Sequence, residues 1–389
     1  MAKSFLVDPE GVRQRLSTRY RAGHRRWLEG GGDWPLSFRL GTPSEREARE
    51  HMTAVRAWLA QWQAWSGVGE VVWVARRWST LGTQSVPERV ILRDAGQVAT
   101  WLGQLDRWQR AVQRYAVMAE RWPRLIGGLA KHFDVLADYP EDDFQRLKAM
   151  LEWLASHPDS GLYVRQLSVA GVDTKWLTNR RSLIVELFSV LRAAEGRSAD
   201  FYVSTGIRRE PVTMRFRILD PDARRMVGGL EDISAPVEEI ARMSLSLRRV
   251  FIIENLQTGL AFPDLPGCVV FMGLGYAVEL FGMIPWLQHL SCHYWGDLDT
   301  HGFAILNRLR HYLPAAQSIL MDEATLLGHR YLWVQEEKPV SAALPLLSDT
   351  ERRLYSDICR HRWGMRVRLE QERISWPYAL RCLHVVTTT

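Results

Sequence analysis

Between residues 248 and 329 the chain repeats one grammar: a short apolar run, a turn bearing glycine or acid, then a segment of helical character. "RRVFIIEN" ends at Glu254, and "GCVVFMGLGYAVELF" turns at Gly273 and Gly275. "LSCHYWGDLDTHGFAILNRLRHYL" passes through Asp297 and Asp299, and "AQSILMDEATLLGH" reaches Asp322 before its helix. Strands alternating with helices predict a parallel sheet covered on both faces, because parallel neighbours require crossover connections that pack on the sheet. In such sheets ligands gather at the carboxyl ends of the strands, where all these acids and glycines fall.

The spacing of Asp297 and Asp299 carries chemistry. In extended backbone residues i and i+2 face the same way, about 7 Å apart at Cα, so the two carboxylates converge while Leu298 points into the core. Carboxylates without His or Cys partners suit a hard cation, Mg²⁺ or Mn²⁺, rather than zinc. Such an ion binds phosphate oxygens and lowers the pKa of a bound water, and Glu254 is placed to complete the site or to shuttle a proton. The alternative for the DxD is a cap on the following helix. His301 reads either as a general acid or base or as an exposed helix-start residue. "GLGYAV" lacks the third glycine of a dinucleotide fingerprint, which argues against a Rossmann dehydrogenase.

Upstream the grammar differs. Residues 1–140 read as a mixed, helix-rich arm: two amphipathic helices, two strands in "GEVVWVARRW" and "QSVPERVILRD", then helical pattern to about His157. Twelve of the 17 tryptophans lie at or before Trp176, and Trp58, Trp62 and Trp65 recur on one helix face, which favours core packing over base stacking. Residues 141–235 have the outline of a winged-helix unit. A helix capped near Asp173 carries Lys175, Arg180 and Arg181, and "FYVSTGIRREPVTMRFRILD", with Arg208 and Arg209, supplies strands for the wing. Residues 161–230 hold 12 Arg or Lys against 7 Asp or Glu, and arginine forks match phosphate oxygens, so these five basic residues are the expected DNA contacts, the alternative being a plain packing element with a basic face. Residues 236–389 form the parallel-sheet domain and a C-terminal extension. The predicted class is multidomain α/β, with α+β character upstream.

A chain of 389 residues with 47% hydrophobic content is expected to build several cores rather than remain disordered. It shows no apolar run of membrane-spanning length and no signal-peptide pattern at its start, so a cytoplasmic protein without membrane contact is expected. Cys268, Cys292, Cys359 and Cys382 lack CxxC spacing and read as reduced core residues.

A strand-terminal glutamate followed by a strand-terminal DxD resembles the Toprim domain of topoisomerases, primases and certain nucleases. "IIENLQTGLAFPDLPG", "GLGYAVEL", "YWGDLDTHGFAILNRLR" and "VRLEQERISW", preceded by "VRQLSVAGVDTKWLTNRR", are together similar to the JetD family, the nuclease subunits of Wadjet anti-plasmid systems. The resemblance spans roughly residues 160 to 375. It implies an architecture like the topoisomerase VI A subunit: an arm, a CAP-like winged helix and a Rossmann-like Toprim domain, paired as a homodimer. It also implies partners, a condensin-like SMC ATPase with kleisin and accessory subunits, and circular duplex DNA as substrate. The Toprim acids carry over onto Glu254, Asp297 and Asp299. Tyr163 and Tyr202 lie where topoisomerases of this class keep their nucleophile, but neither matches that motif, so attack by water is expected. Glu370 or Glu372 of "RLEQER" joins the metal site, or the string is a helix face on which Glu370 makes surface ion pairs with Arg366 and Arg373. Two rival readings are a transesterase with a covalent tyrosine and a non-catalytic DNA-docking subunit.

Overall fold

Asp8 starts the first helix. Its carboxylate accepts the Gly11 amide at 2.7 Å and Pro9 takes the first helical position, giving a helix over Pro9–Leu28 that buries Val12, Leu16 and Tyr20. The computed structural model describes residues 6–192 and 198–388, in two compact units, Met1–Arg209 and Glu210–Thr389. The first residues of the leader reading, 1–5, lie outside the described residues.

In the first unit, β1 (Leu36–Arg39), β2 (Glu70–Trp78) and β3 (Gly82–Leu92) form an antiparallel sheet ordered β1-β3-β2. The tryptophans pack inward. Trp58 and Trp62, 3% and 2% exposed, both donate their indole N–H to the Val7 carbonyl, at 2.9 and 3.0 Å, and Trp65 stacks on Trp101 with ring centroids 4.3 Å apart. The Trp58 and Trp62 indoles thus find their acceptor in a chain segment some fifty residues away, tying helix Met52–Gln63 to the N-terminal segment. Further on, Asp173 caps helix Thr174–Thr178 through the Trp176 amide at 2.7 Å, as its sequence predicts.

The boundary and the wing differ from expectation. "VRQ" forms one 3₁₀ turn at Val164–Gln166, and "FYVST" is the helix Phe201–Thr205 rather than a strand. The strand that the wing string does supply, β4 (Thr213–Ile218), pairs with β5 (Asp232–Pro236), and both belong to the second unit. The reason is packing. Met214, Phe216 and Ile218 are buried, and the Phe216 ring stacks on Phe271 at 5.3 Å, so the apolar face of β4 is spent on the central sheet.

That sheet contains β6 (Arg249–Ile253), β7 (Cys268–Met272), β8 (Ser291–Trp295) and β9 (Gln317–Ser318), in the order β5-β4-β7-β6-β8-β9. The four strands from β7 to β9 are mutually parallel, and β4 and β5 add an antiparallel edge, making the sheet mixed rather than wholly parallel. Every residue of β7 is buried, which is what a continuous apolar run in a two-sided sheet requires. The helix expected after "GLG" is a 3₁₀ segment, Ala277–Met283, entered through positive-φ Gly273 and Gly275. A small ladder, β10 (Val334–Gln335) against β11 (Val367–Arg368), continues as a bridge between Leu298 and Leu369. All four cysteines are free, with Cys268 and Cys292 buried. No helix among the described residues is long and apolar enough to cross a membrane.

One buried ion pair locks this unit. Arg310 holds Glu351 in two contacts, 2.6 and 2.9 Å, and Ser318 adds a hydroxyl at 2.6 Å. Burial pushes the Glu351 carboxyl up, but Arg310 and Ser318 prevail and bring it down to about 2. Arg310→Met is expected to cost roughly 3–5 kcal/mol in urea unfolding, because it strands a buried carboxylate, and Arg310→Met with Glu351→Met to recover most of that loss.

Candidate functional site

Ile253 of β6 lies level with Trp295 of β8, so both strands end at one place. The Glu254 amide donates to the Trp295 carbonyl at 3.1 Å, carrying the pairing one residue further. The Glu254 Oε2 accepts from the Tyr294 hydroxyl at 3.3 Å and from the Asp297 amide at 3.4 Å. Gly296 leaves room for this approach, since a Cβ there would lie 2.8 Å from the same Oε2.

Leu298 is fully buried, and the aspartates on either side of it both reach Arg368, as the i, i+2 spacing predicts. Asp297 Oδ1 accepts the Gln371 amide at 2.7 Å and its Oδ2 the Arg368 Nη2 at 2.6 Å. Asp299 Oδ1 caps helix Thr300–Leu309 through the Gly302 amide at 2.8 Å, while its Oδ2 lies 3.2 Å from Arg368 Nε. The capping role therefore uses one oxygen of Asp299 and leaves the other facing the site. Asp322, by contrast, spends both oxygens on Thr325 and is a helix cap.

Electrostatics follow from this crowding. Burial, then the charges of Asp297 and Asp299, push Glu254 up to about 7. Asp299 is pushed up to about 6 by burial first, with Glu336 and Asp297 adding to it and the Gly302 amide and Arg368 opposing. Glu254, Asp297 and Asp299 crowd together with Glu336 acting on Asp299, and one guanidinium, that of Arg368, lies between the two aspartates. Among the described residues, no three His, Cys, Asp or Glu side chains are grouped as a ready-made metal cage.

Gly302 is the turn's hidden requirement. A Cβ there would overlap the Asp297 carbonyl oxygen and crowd its amide at 3.3 Å. Gly302→Ala is expected to displace the Asp297 to Asp299 turn and to cost about 2 kcal/mol or more in thermal unfolding.

Around this centre, Glu336 is buried and accepts the Thr300 hydroxyl at 2.5 Å. His301 Nε2 lies 2.8 Å from the Lys338 carbonyl and Nδ1 2.5 Å from the Tyr276 hydroxyl. His301 is a helix-start residue, about a third exposed, whose two ring nitrogens are both hydrogen-bonded and which lies 3.9 Å from Glu336. Glu370 pairs with Arg373 at 2.7 Å and lies 3.9 Å from Arg368, whereas the Glu372 carboxylate accepts Asn255 Nδ2 at 3.1 Å. The expected Arg366 pairing is replaced by a bond from Arg366 to the Glu337 carbonyl at 3.3 Å. Arg368 and Gln371 are absent from the sequence reading. The signal for them is a repeated pattern: Leu298 flanked by two acids, Leu369 flanked by Arg368 and Glu370, and the two leucines bridged.

The expected DNA contacts lie in the first unit, and most are already engaged. Arg180 pairs with Asp143 at 2.6 Å and lies over the Trp176 ring, so it is a structural cation rather than a free phosphate contact. Arg181 donates to the Tyr202 hydroxyl at 2.9 Å, and Arg209 pairs with Asp200 and covers the same ring. Lys175 and Arg208 are exposed, Arg208 lying over Tyr163. Sequence charge alone does not reveal that Asp143 and Asp200 neutralise this face.

Fold and site define a two-unit protein of mixed α/β structure with an acid cluster where two parallel strands end. Residues 206–383 match the family model described as the C-terminal part of the Wadjet protein JetD, and residues 9–189 match one described as the N-terminal part of an uncharacterised protein conserved in bacteria. The chain belongs to the JetD family of Wadjet proteins. Membership implies a role in a Wadjet system and a complex with its other subunits. No curated protein matches the chain.

Proposed function

We propose that this chain is a divalent-metal-dependent DNA endonuclease whose second unit is a Toprim domain, cutting circular duplex DNA as the nuclease subunit of a Wadjet SMC assembly. The observation that carries the reading is the convergence of Glu254, Asp297 and Asp299 at the ends of β6 and β8. The donor set fits Mg²⁺ or Mn²⁺ in chemistry: oxygen ligands only, one oxygen of each aspartate pointing to a shared cation position, and buried carboxyls short of counter-charge. Asp297 and Asp299 would hold the ion, which when bound would supply neutralisation of phosphate charge and a lowered pKa for a water. Glu254, whose Oε2 accepts from Tyr294, takes the proton from the attacking water. Lys175 and Arg208 grip phosphates, and pairing of two copies gives one cut per strand.

The test is a supercoiled-plasmid gel with the purified protein in Mg²⁺, Mn²⁺ or EDTA, each lane with and without protease. Metal-dependent nicked or linear product that protease leaves unchanged is expected. DNA released only by protease would establish a tyrosine-linked intermediate instead. No product, even with the SMC partners and ATP, would leave a docking subunit.

A further inference from the structure

Each aspartate of the pair commits one oxygen to the backbone. Asp297 Oδ1 accepts the Gln371 amide and Asp299 Oδ1 the Gly302 amide, which leaves Oδ2 on each as its remaining oxygen. Both Oδ2 atoms face one guanidinium, through Nη2 at 2.6 Å and Nε at 3.2 Å, so Arg368 stands on the position that an ion held by both aspartates would take. Two cations do not share such a seat.

The backbone of Arg368 is fixed by the β10–β11 ladder and by the Leu298 to Leu369 bridge. Its side chain is less constrained, about a third exposed, with Glu370 Oε1 3.9 Å from Nη2 as a second carboxylate within reach. Rotation about the side chain's own torsions exchanges one acid partner for another without moving the strand. We infer that Arg368 is the resident counter-cation of the acid pair, which a divalent ion must displace in order to bind, so that Arg368 sets the ion's apparent affinity. The inference rests on the metal-binding reading of Asp297 and Asp299. In the arginine-seated state the ion site is closed, and affinity is reduced by the fraction of molecules in that state.

The test is equilibrium Mn²⁺ binding to the full chain without DNA, with free Mn²⁺ read by electron paramagnetic resonance. Arg368→Gln is expected to bind Mn²⁺ about tenfold more tightly than the parent. Arg368→Lys, which keeps the charge but not the fork, is expected to fall between them, and it serves as the readout if the glutamine variant does not fold. Asp299→Asn is expected to lose binding. In thermal melts, the gap between Mn²⁺ and EDTA is expected to widen in Arg368→Gln, because the exposed acid pair then depends on the ion. If Asp299→Asn loses binding but neither Arg368 variant gains affinity, the inference falls and the metal site stands. If Asp299→Asn binds as the parent does, or neither the parent nor either Arg368 variant binds Mn²⁺, the metal reading falls and takes the inference with it.

Discussion

Asp299→Asn is expected to abolish metal-dependent plasmid cutting, by about 10³-fold or more, while leaving the fold intact. The choice of asparagine matters. Asn is as good an N-cap as Asp, so Oδ1 still accepts the Gly302 amide and helix Thr300–Leu309 keeps its start. What is lost is the anionic Oδ2 that faces Arg368. Because burial and neighbouring acids already push Asp299 up to about 6, a neutral side chain relieves crowding in the metal-free protein. The melting temperature in EDTA should therefore hold or rise while cutting disappears. Asp322→Asn is the matched control: Asp322 caps a helix too, but away from the acid pair's shared guanidinium, and cutting should survive there. Equal loss in both variants would mean that the cap, not the chemistry, is what Asp299 supplies.

The carboxyl end of this sheet is legible in sequence because buried central strands cannot disguise themselves. "VFII", "CVVFM" and "CHYW" are apolar on both faces, and each ends at the point where the apolar run stops. The i, i+2 rule then places Asp297 and Asp299 on one side with Leu298 on the other, and the shared Arg368 contact bears that out. Nothing beyond local backbone geometry is needed for these statements.

What escapes the sequence is every feature that depends on a distant partner. "TMRFRI" alternates as any half-buried strand does, and only its packing on Phe271 decides that it edges the central sheet and not a wing. Arg180 looks like a phosphate contact until Asp143, from helix Glu141–Ser156, is brought against it. Arg368 enters the acid pair from about seventy residues downstream through a single bridged leucine. In each case the residue type is visible and its counterpart is not, which is how charge patterns overstate free basic surface and understate internal neutralisation.

Glu254→Gln separates proton handling from the architecture of the site. The amide oxygen still accepts from the Tyr294 hydroxyl and the Asp297 amide, so the turn is preserved, while the carboxylate proposed to take a proton from water is gone. Cutting should fall about 10²-fold or more. Stability should move the opposite way. The folded Glu254 titrates at about 7, above its ordinary 4.5, so between these values the native protein keeps a proton that the unfolded chain has released. The associated stability is complete below about 4.5 and is lost as pH rises through 7. Glutamine carries no such dependence. In EDTA the parent's melting temperature should decline from pH 5 to 8 and the variant's decline should be shallower, Asp299 supplying what remains at the acid end, with the variant ahead by on the order of 2 kcal/mol at pH 8. With Mn²⁺ bound, the ion's charge takes over what the proton supplied, and the parent's decline should flatten. Superimposed melting curves in EDTA would show that Glu254 carries no proton near neutrality.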